Sequence, residues 1–179
     1  MKIVRFAFNR KVNYGILEDD SIRIIQGTPF TWLRRPDSSL KITENKYKLD
    51  EVRLLAPCLP SKIVAVGLNY RKHAEEFKLQ IPSVPLIFLK PSTAVIGPED
   101  KIIHLRASKR VDYEGELAVV IGRKTKAVDK ASAKEYILGY TCLNDVSARY
   151  EQQADGQWTR AKSYDTFAPI GPYIDRYLT

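Results

Sequence analysis

The stretch VDYEGELAVVIG, residues 111–122, sets three carboxylates in front of a run of apolar side chains. Leu117 to Ile121 read as a buried β-strand that stops at Gly122. Ahead of it stand Asp112, Glu114 and Glu116. Strand side chains alternate, so Glu114 and Glu116 share a face with their Cα atoms about 6.6 Å apart. Two carboxylates that close and partly buried repel, and one of them takes up a proton unless a cation lies between them. Hard oxygen ligands suit Mg2+, Mn2+ or Ca2+ rather than zinc. Asp145 ends the apolar run LGYTCLND and is the candidate third ligand. Three monodentate carboxylates leave about three octahedral positions for water and substrate. The plain alternative for the Glu pair is an exposed strand face.

Outward from this stretch the chain alternates short apolar runs with turn residues. Residues 2–8, 14–20 and 22–27 read as strands, with EDDS as a polar hairpin turn. Residues 29–35 suggest a short helix, and residues 35–49 are polar and weakly patterned. Apolar character resumes in VRLLAP, and the two prolines of PCLP mark a boundary near residue 58. SKIVAVG and PLIFLK are compact strand patterns, and Pro82, Pro85 and Pro91 forbid a long helix between residues 82 and 91. A short helix is expected near KASAKEYI with Asp129 as its cap, a strand at LGYTCLND, a helical turn or two at VSARYEQQ and an extended APIGPYI. Many short strands with few short helices predict a mainly β, α+β fold, divided into a small N-terminal domain over residues 1–57 and a second over 58–179.

Composition excludes several classes. The 179 residues are 44% apolar and 10% aromatic, enough for a core and unlike a disordered chain. The net charge of +8 is dispersed, without a zinc-finger, RNP or basic-heptad pattern, so a solvated basic surface is expected rather than a nucleic-acid partner. Such a field also attracts small anionic substrates. No apolar run approaches a membrane span, and MKIVRFAFNR lacks the core of a secretory signal. Cys58 and Cys142 show no metal or redox spacing, so a cytoplasmic chain with reduced thiols is the expectation.

VGLNYRKHAEE, FLKPSTAVIGP, VDYEGELAVVIG, LNDVSARYEQQ and AKSYDTFAPIGP, in that order, resemble the fumarylacetoacetate hydrolase family over roughly residues 60–173. Residues 1–57 resemble the small variable N-terminal domain of many members. The resemblance implies a mixed β-sheet roll and a Mg2+ or Mn2+ ion on Glu114, Glu116 and Asp145. It also implies a small 2-oxo acid or 1,3-dicarbonyl substrate, processed through a metal-stabilised enolate by C–C hydrolysis, decarboxylation or isomerisation. His73 and Glu76, three apart on a helical turn, match a lid pair in which the imidazole activates water and the carboxylate orients it. Lys162 matches a lysine that stabilises negative charge near the metal. Arg149 and Gln152 match substrate contacts, with a structural role equally open. Asp165 and Thr166 are expected to support the site, Gly67, Gly97 and Gly171 to serve turns, and His104 to be a structural histidine. A homodimer is implied by the resemblance alone.

Two departures stand out. Tyr150 replaces an Asp found in many relatives, and the sequence stops before the Thr/Gly-rich loop that closes the family's substrate pocket. The expectation is a sheet and pocket wall left incomplete, and weak activity. A truncated, non-catalytic binding or assembly module is the alternative.

Overall fold

A computed structural model describes residues 1–34, 39–76, 78 and 80–177, with the backbone alone for Arg34, His73 and Glu76. The chain opens with β1 (Lys2–Phe8), β2 (Lys11–Glu18), β3 (Ser21–Ile25), α1 (Pro29–Arg34), β4 (Ile42–Lys48), β5 (Arg53–Leu55) and β6 (Lys62–Gly67). It continues through α2 (Arg71–Glu76), β7 (Leu86–Pro91), β8 (Val95–Ile96), β9 (Val111–Asp112), β10 (Gly115–Ile121) and β11 (Ile137–Asn144). It closes with β12 (Ser147–Ala148), α3 (Arg149–Asp155), α4 (Thr159–Lys162) and β13 (Ala168–Asp175). The fold is α+β and mainly β, with few short helices, as the short apolar runs predict.

One nine-stranded sheet runs β10-β11-β13-β1-β2-β3-β4, with β5 also paired to β1 and β8 parallel to β13. Two small ladders, β6-β7 and β9-β12, stand apart from it. Period-2 alternation divides the buried side chains of β1 between two clusters. Ile3 packs with Ile16, Leu138, Leu143 and Ile174 on one face, while Val4 and Phe6 pack with Ile22 on the other. A third cluster, Val146, Ala148, Ala161 and Phe167, lies where β12 and α4 meet.

The hairpin turn falls at Asp19, whose φ of 53° is left-handed, and Asp20. β4 was not expected from its polar sequence ITENKYK. It is the outermost strand of the sheet, held by backbone pairing to β3, where polar side chains face water without penalty. Residues 101–105 form no regular element, and His104 is exposed rather than a packed structural histidine. Asp129 accepts the Ser132 N–H at 2.8 Å just before the 3-10 turn Ala133–Tyr136. Gly67 and Gly97 answer close approach rather than a turn. A Cβ on Gly67 would lie 2.3 Å from the Trp158 ring, and one on Gly97 would lie 2.6 Å from the Ala56 nitrogen.

Candidate active site

β10 and β11 pair with Gly115 opposite Asn144, and the contact continues past the ladder. The Asp145 N–H donates to the Glu114 carbonyl at 2.8 Å, and the Glu114 N–H donates to Asn144 Oδ1 at 3.0 Å. Glu114 therefore sits just before β10 rather than within it, fixed against Asp145. The β9-β12 ladder sets Ser147 opposite Asp112 and Ala148 opposite Val111. This places Arg149, the first residue of α3, beside Asp112 and Glu114. One turn of α4 carries Lys162 inward from Trp158, whose carbonyl accepts the Lys162 N–H at 3.1 Å.

Lys162 is the hub. It is 2% exposed, and its three N–H donors meet Glu114 Oε2 at 2.6 Å, Asp145 Oδ2 at 2.6 Å and Ser147 Oγ at 2.7 Å. An ammonium has three donors, so this one is fully satisfied. Phe88 and Trp158 turn their ring faces to it, with centroids 5.2 and 5.9 Å from Nζ. The other Asp145 oxygen, Oδ1, accepts from Lys90 Nζ at 2.6 Å. Lys90 is wholly buried near the end of β7. Burial pulls its ammonium below the usual lysine value, against the opposing pull of Asp145. Nothing in FLKP announces this, since a lysine beside a proline at a strand end reads as exposed.

Arg149 joins the cluster from the other side. Its Nη2 lies 2.5 Å from Glu114 Oε1, its Nε donates to Asp112 Oδ2 at 2.9 Å, and its Nη1 donates to Gln152 Oε1 at 3.0 Å. Burial raises the Glu114 carboxyl, but Lys162 and Arg149 outweigh it and hold the group below the usual glutamate range. Glu116 behaves in the opposite way. Burial raises its pKa, Asn69 partly offsets this, and the charges of Asp145 and Glu114 push it higher. Its Oε2 accepts from Asn69 Nδ2 at 3.2 Å.

Glu114, Asp145, Lys162, Arg149 and Gln152 are thus brought together, with Glu116 at the edge. The three carboxylates do not share one partner: Lys162 lies between Glu114 and Asp145, while Glu116 leans to Asn69. Among the described residues no three His, Cys, Asp or Glu side chains form a ready metal-ligand group. Glu114, Glu116 and Asp145 supply only oxygen donors, and the Lys162 ammonium bridges two of them. His73 and Glu76 are placed in α2 by their backbone, and their side chains lie outside the described residues. Tyr70, beside α2, accepts the Leu117 N–H at 3.3 Å, so the segment preceding the helix touches β10. Thr166 Oγ1 accepts the Ile103 N–H at 2.9 Å and supports the loop ahead of β9.

The C-terminal profile of fumarylacetoacetate (FAA) hydrolase matches residues 62–177, and an Rv2993c-like N-terminal profile matches residues 1–57. The chain belongs to the fumarylacetoacetate hydrolase family. The crystal structure of 5-carboxymethyl-2-hydroxymuconate delta-isomerase from Mycobacterium smegmatis is 44% identical, with a TM-score of 0.88 over all of this chain and 68% of that one. The mitochondrial oxaloacetate tautomerase Fahd2a of Rattus norvegicus is 45% identical over 69% of this chain and 40% of its own length. Maleylpyruvate hydrolase from Sphingobium, solved with manganese(II) and pyruvate, is 26% identical, with a TM-score of 0.72 over 98% of this chain and 67% of that one. The chain spans 50% of the length of one curated relative and 66% of another.

Proposed function

We propose that the chain carries the charged centre of a divalent-metal enzyme that acts on a small 2-oxo acid or 1,3-dicarbonyl compound through an enolate. The observation that carries this reading is the buried group in which Lys162 meets Glu114 and Asp145 while Lys90 backs Asp145. Burying so many charges is costly unless they are paired, and the pairing here concentrates both signs of charge at one point of the interior. Three relatives support it by name: a 5-carboxymethyl-2-hydroxymuconate isomerase, an oxaloacetate tautomerase and a maleylpyruvate hydrolase.

The donor set fits Mg2+ or Mn2+ in kind. Glu114, Glu116 and Asp145 offer hard oxygens, and Glu116, whose carboxyl burial pushes above the usual glutamate range, has Asn69 as its hydrogen-bond partner where Glu114 and Asp145 have ammonium partners. A cation there would act as a Lewis acid and lower the cost of negative charge on a substrate's oxo oxygen. The chain's own groups supply the rest. Arg149 can hold a substrate carboxylate with two N–H donors once it exchanges Asp112 or Gln152. Gln152 can donate to the substrate from its amide. Lys162, fixed by three acceptors, presents a positive charge where an enolate oxygen forms. His73 is assigned proton transfer and Glu76 its orientation. Hydrolysis, decarboxylation and isomerisation share this intermediate. A homodimer in the cytoplasm is the proposed setting.

The test is a screen of oxaloacetate, acylpyruvates and maleylpyruvate with Mg2+, Mn2+ and chelator, beside calorimetric titration of Mn2+. Metal-dependent turnover and loss of Mn2+ binding in Glu116→Gln are expected. Turnover that survives exhaustive chelation, or unchanged Mn2+ affinity in Glu116→Gln, overturns the reading.

A further inference from the structure

The β9-β12 ladder brings two arginines to one carboxylate. The Arg149 N–H donates to the Arg110 carbonyl at 3.0 Å, so the two residues are neighbours through their backbones. Ser108 Oγ lies 3.2 Å from the same carbonyl and 2.8 Å from Oε2 of the buried Glu151, which ties Arg110 to α3 as well. Asp112 stands between the two side chains. Arg110 grips it at two points, Nε on Oδ1 at 2.9 Å and Nη2 on Oδ2 at 2.8 Å. Arg149 reaches it at one, Nε on the same Oδ2 at 2.9 Å. Two guanidiniums on one carboxylate repel each other, and the two-point grip is the stronger.

The other nitrogens of Arg149 meet Glu114 and Gln152, so it stays anchored when its Nε leaves Asp112. Asp112 then keeps both bonds from Arg110, and no partly buried anion is stranded. Without Arg110, Arg149 would be the one ion-pair partner of Asp112 among the described residues, and its departure would leave the carboxylate unpaired. We propose that Arg110 is a positioning residue: it competes with Arg149 for Asp112 and so frees the Arg149 guanidinium to take the carboxylate of a ligand. This rests on the function proposed above, in which Arg149 receives that carboxylate. Exposed ion pairs of this kind shift an equilibrium by about two- to fivefold.

The experiment follows the Arg149 Nε–Hε signal by NMR in the full protein, first alone and then with pyruvate and Mg2+. Arg110→Ala removes a side chain that is 70% exposed and keeps the carbonyl that Arg149 bonds. In this variant Asp112 holds Arg149 undivided. Exchange of Hε with water should slow about two- to fivefold, and pyruvate affinity should fall by a similar factor. Arg110→Lys keeps the charge but not the two-point grip, and should behave like Arg110→Ala. In an Asp112→Asn background, Arg110→Ala should change neither readout. Unchanged Hε exchange in Arg110→Ala overturns the inference whatever pyruvate does. So does full pyruvate affinity in Arg110→Lys beside a loss in Arg110→Ala, because charge at a distance would then be the whole effect. Slowed exchange in a protein that binds no pyruvate supports the contest for Asp112 and counts against the 2-oxo acid reading instead.

Discussion

Asp145 carries two ammonium partners, one on each oxygen, and this makes it the most constrained carboxylate of the site. Removing one partner of a buried pair strands charge, at about 3–5 kcal/mol. Lys90→Met should therefore lower unfolding free energy by about 3 kcal/mol in a urea titration, with its slope unchanged. A loss below about 1 kcal/mol would mean that water already reaches Asp145. His73→Ala should slow turnover by about 10²–10⁴-fold and leave Mn2+ affinity in place. Loss of metal with full turnover at saturating Mn2+ would remove the proton-transfer role. At this scale the sequence is readable where spacing or motif singles out residues. Glu114, Glu116 and Asp145 stand out in that way. Lys90 does not, because its burial depends on the β6-β7 ladder folding over Asp145, and no local pattern encodes that.

Among the elements, α4 is a four-residue helix that carries Lys162 and packs against β7. Its position depends on Trp158 lying over Gly67 and edge-on to Phe88, with ring centroids 5.5 Å apart. Gly67→Ala should push the Trp158 ring away, lower stability by about 1–3 kcal/mol as an overpacked contact, and shift tryptophan emission. An unshifted emission spectrum with native stability would contradict this packing. β1 was legible through its apolar run, and β10 was legible as a strand but not as a buried one: of Leu117–Ile121 only Val120 is buried, while Leu117, Val119 and Ile121 are about half exposed. β4 was not legible, since an outer strand can be polar on both faces and is specified by its partner's backbone. The short helix expected near residue 133 is a 3-10 turn whose N-cap is Ser132, and Asp129 binds Ser132 instead of capping the turn.

For the whole molecule, the two thiols differ in kind. Cys142 is exposed on β11, while Cys58 is buried in the main core. Burial pushes the Cys58 thiol up to about 11, against a smaller opposing effect of Arg5. A thiol whose pKa is higher when folded contributes stability that is complete below its unfolded value of about 8.5 and is lost as pH rises toward 11. Thermal melts from pH 8 to 11 should fall more steeply for the unaltered protein than for Cys58→Ala, by at most about 1.4 kcal/mol per pH unit. Identical slopes would mean the thiolate forms without penalty. A maleimide at pH 7.5 should label Cys142 first and Cys58 only on unfolding. No helix among the described residues is long and apolar enough to cross a membrane.

The pairing of β1 with β13 has a consequence for the order of events during synthesis. Lys2 lies opposite Asp175, and the Arg176 N–H donates to the Met1 carbonyl at 2.9 Å. β1 is therefore completed by β13, the last strand described. During translation β1 can pair with β2 within seconds and with β5 soon after, but the edge at Lys2 and Ile3 waits for β13 to leave the ribosome. Closing so long a loop makes this a late and slow step in refolding as well. Pulse-labelled hydrogen exchange should protect the β2-β3 amides before those joining β1 to β13. Simultaneous protection would mean that β1 and β13 enter the folding nucleus together.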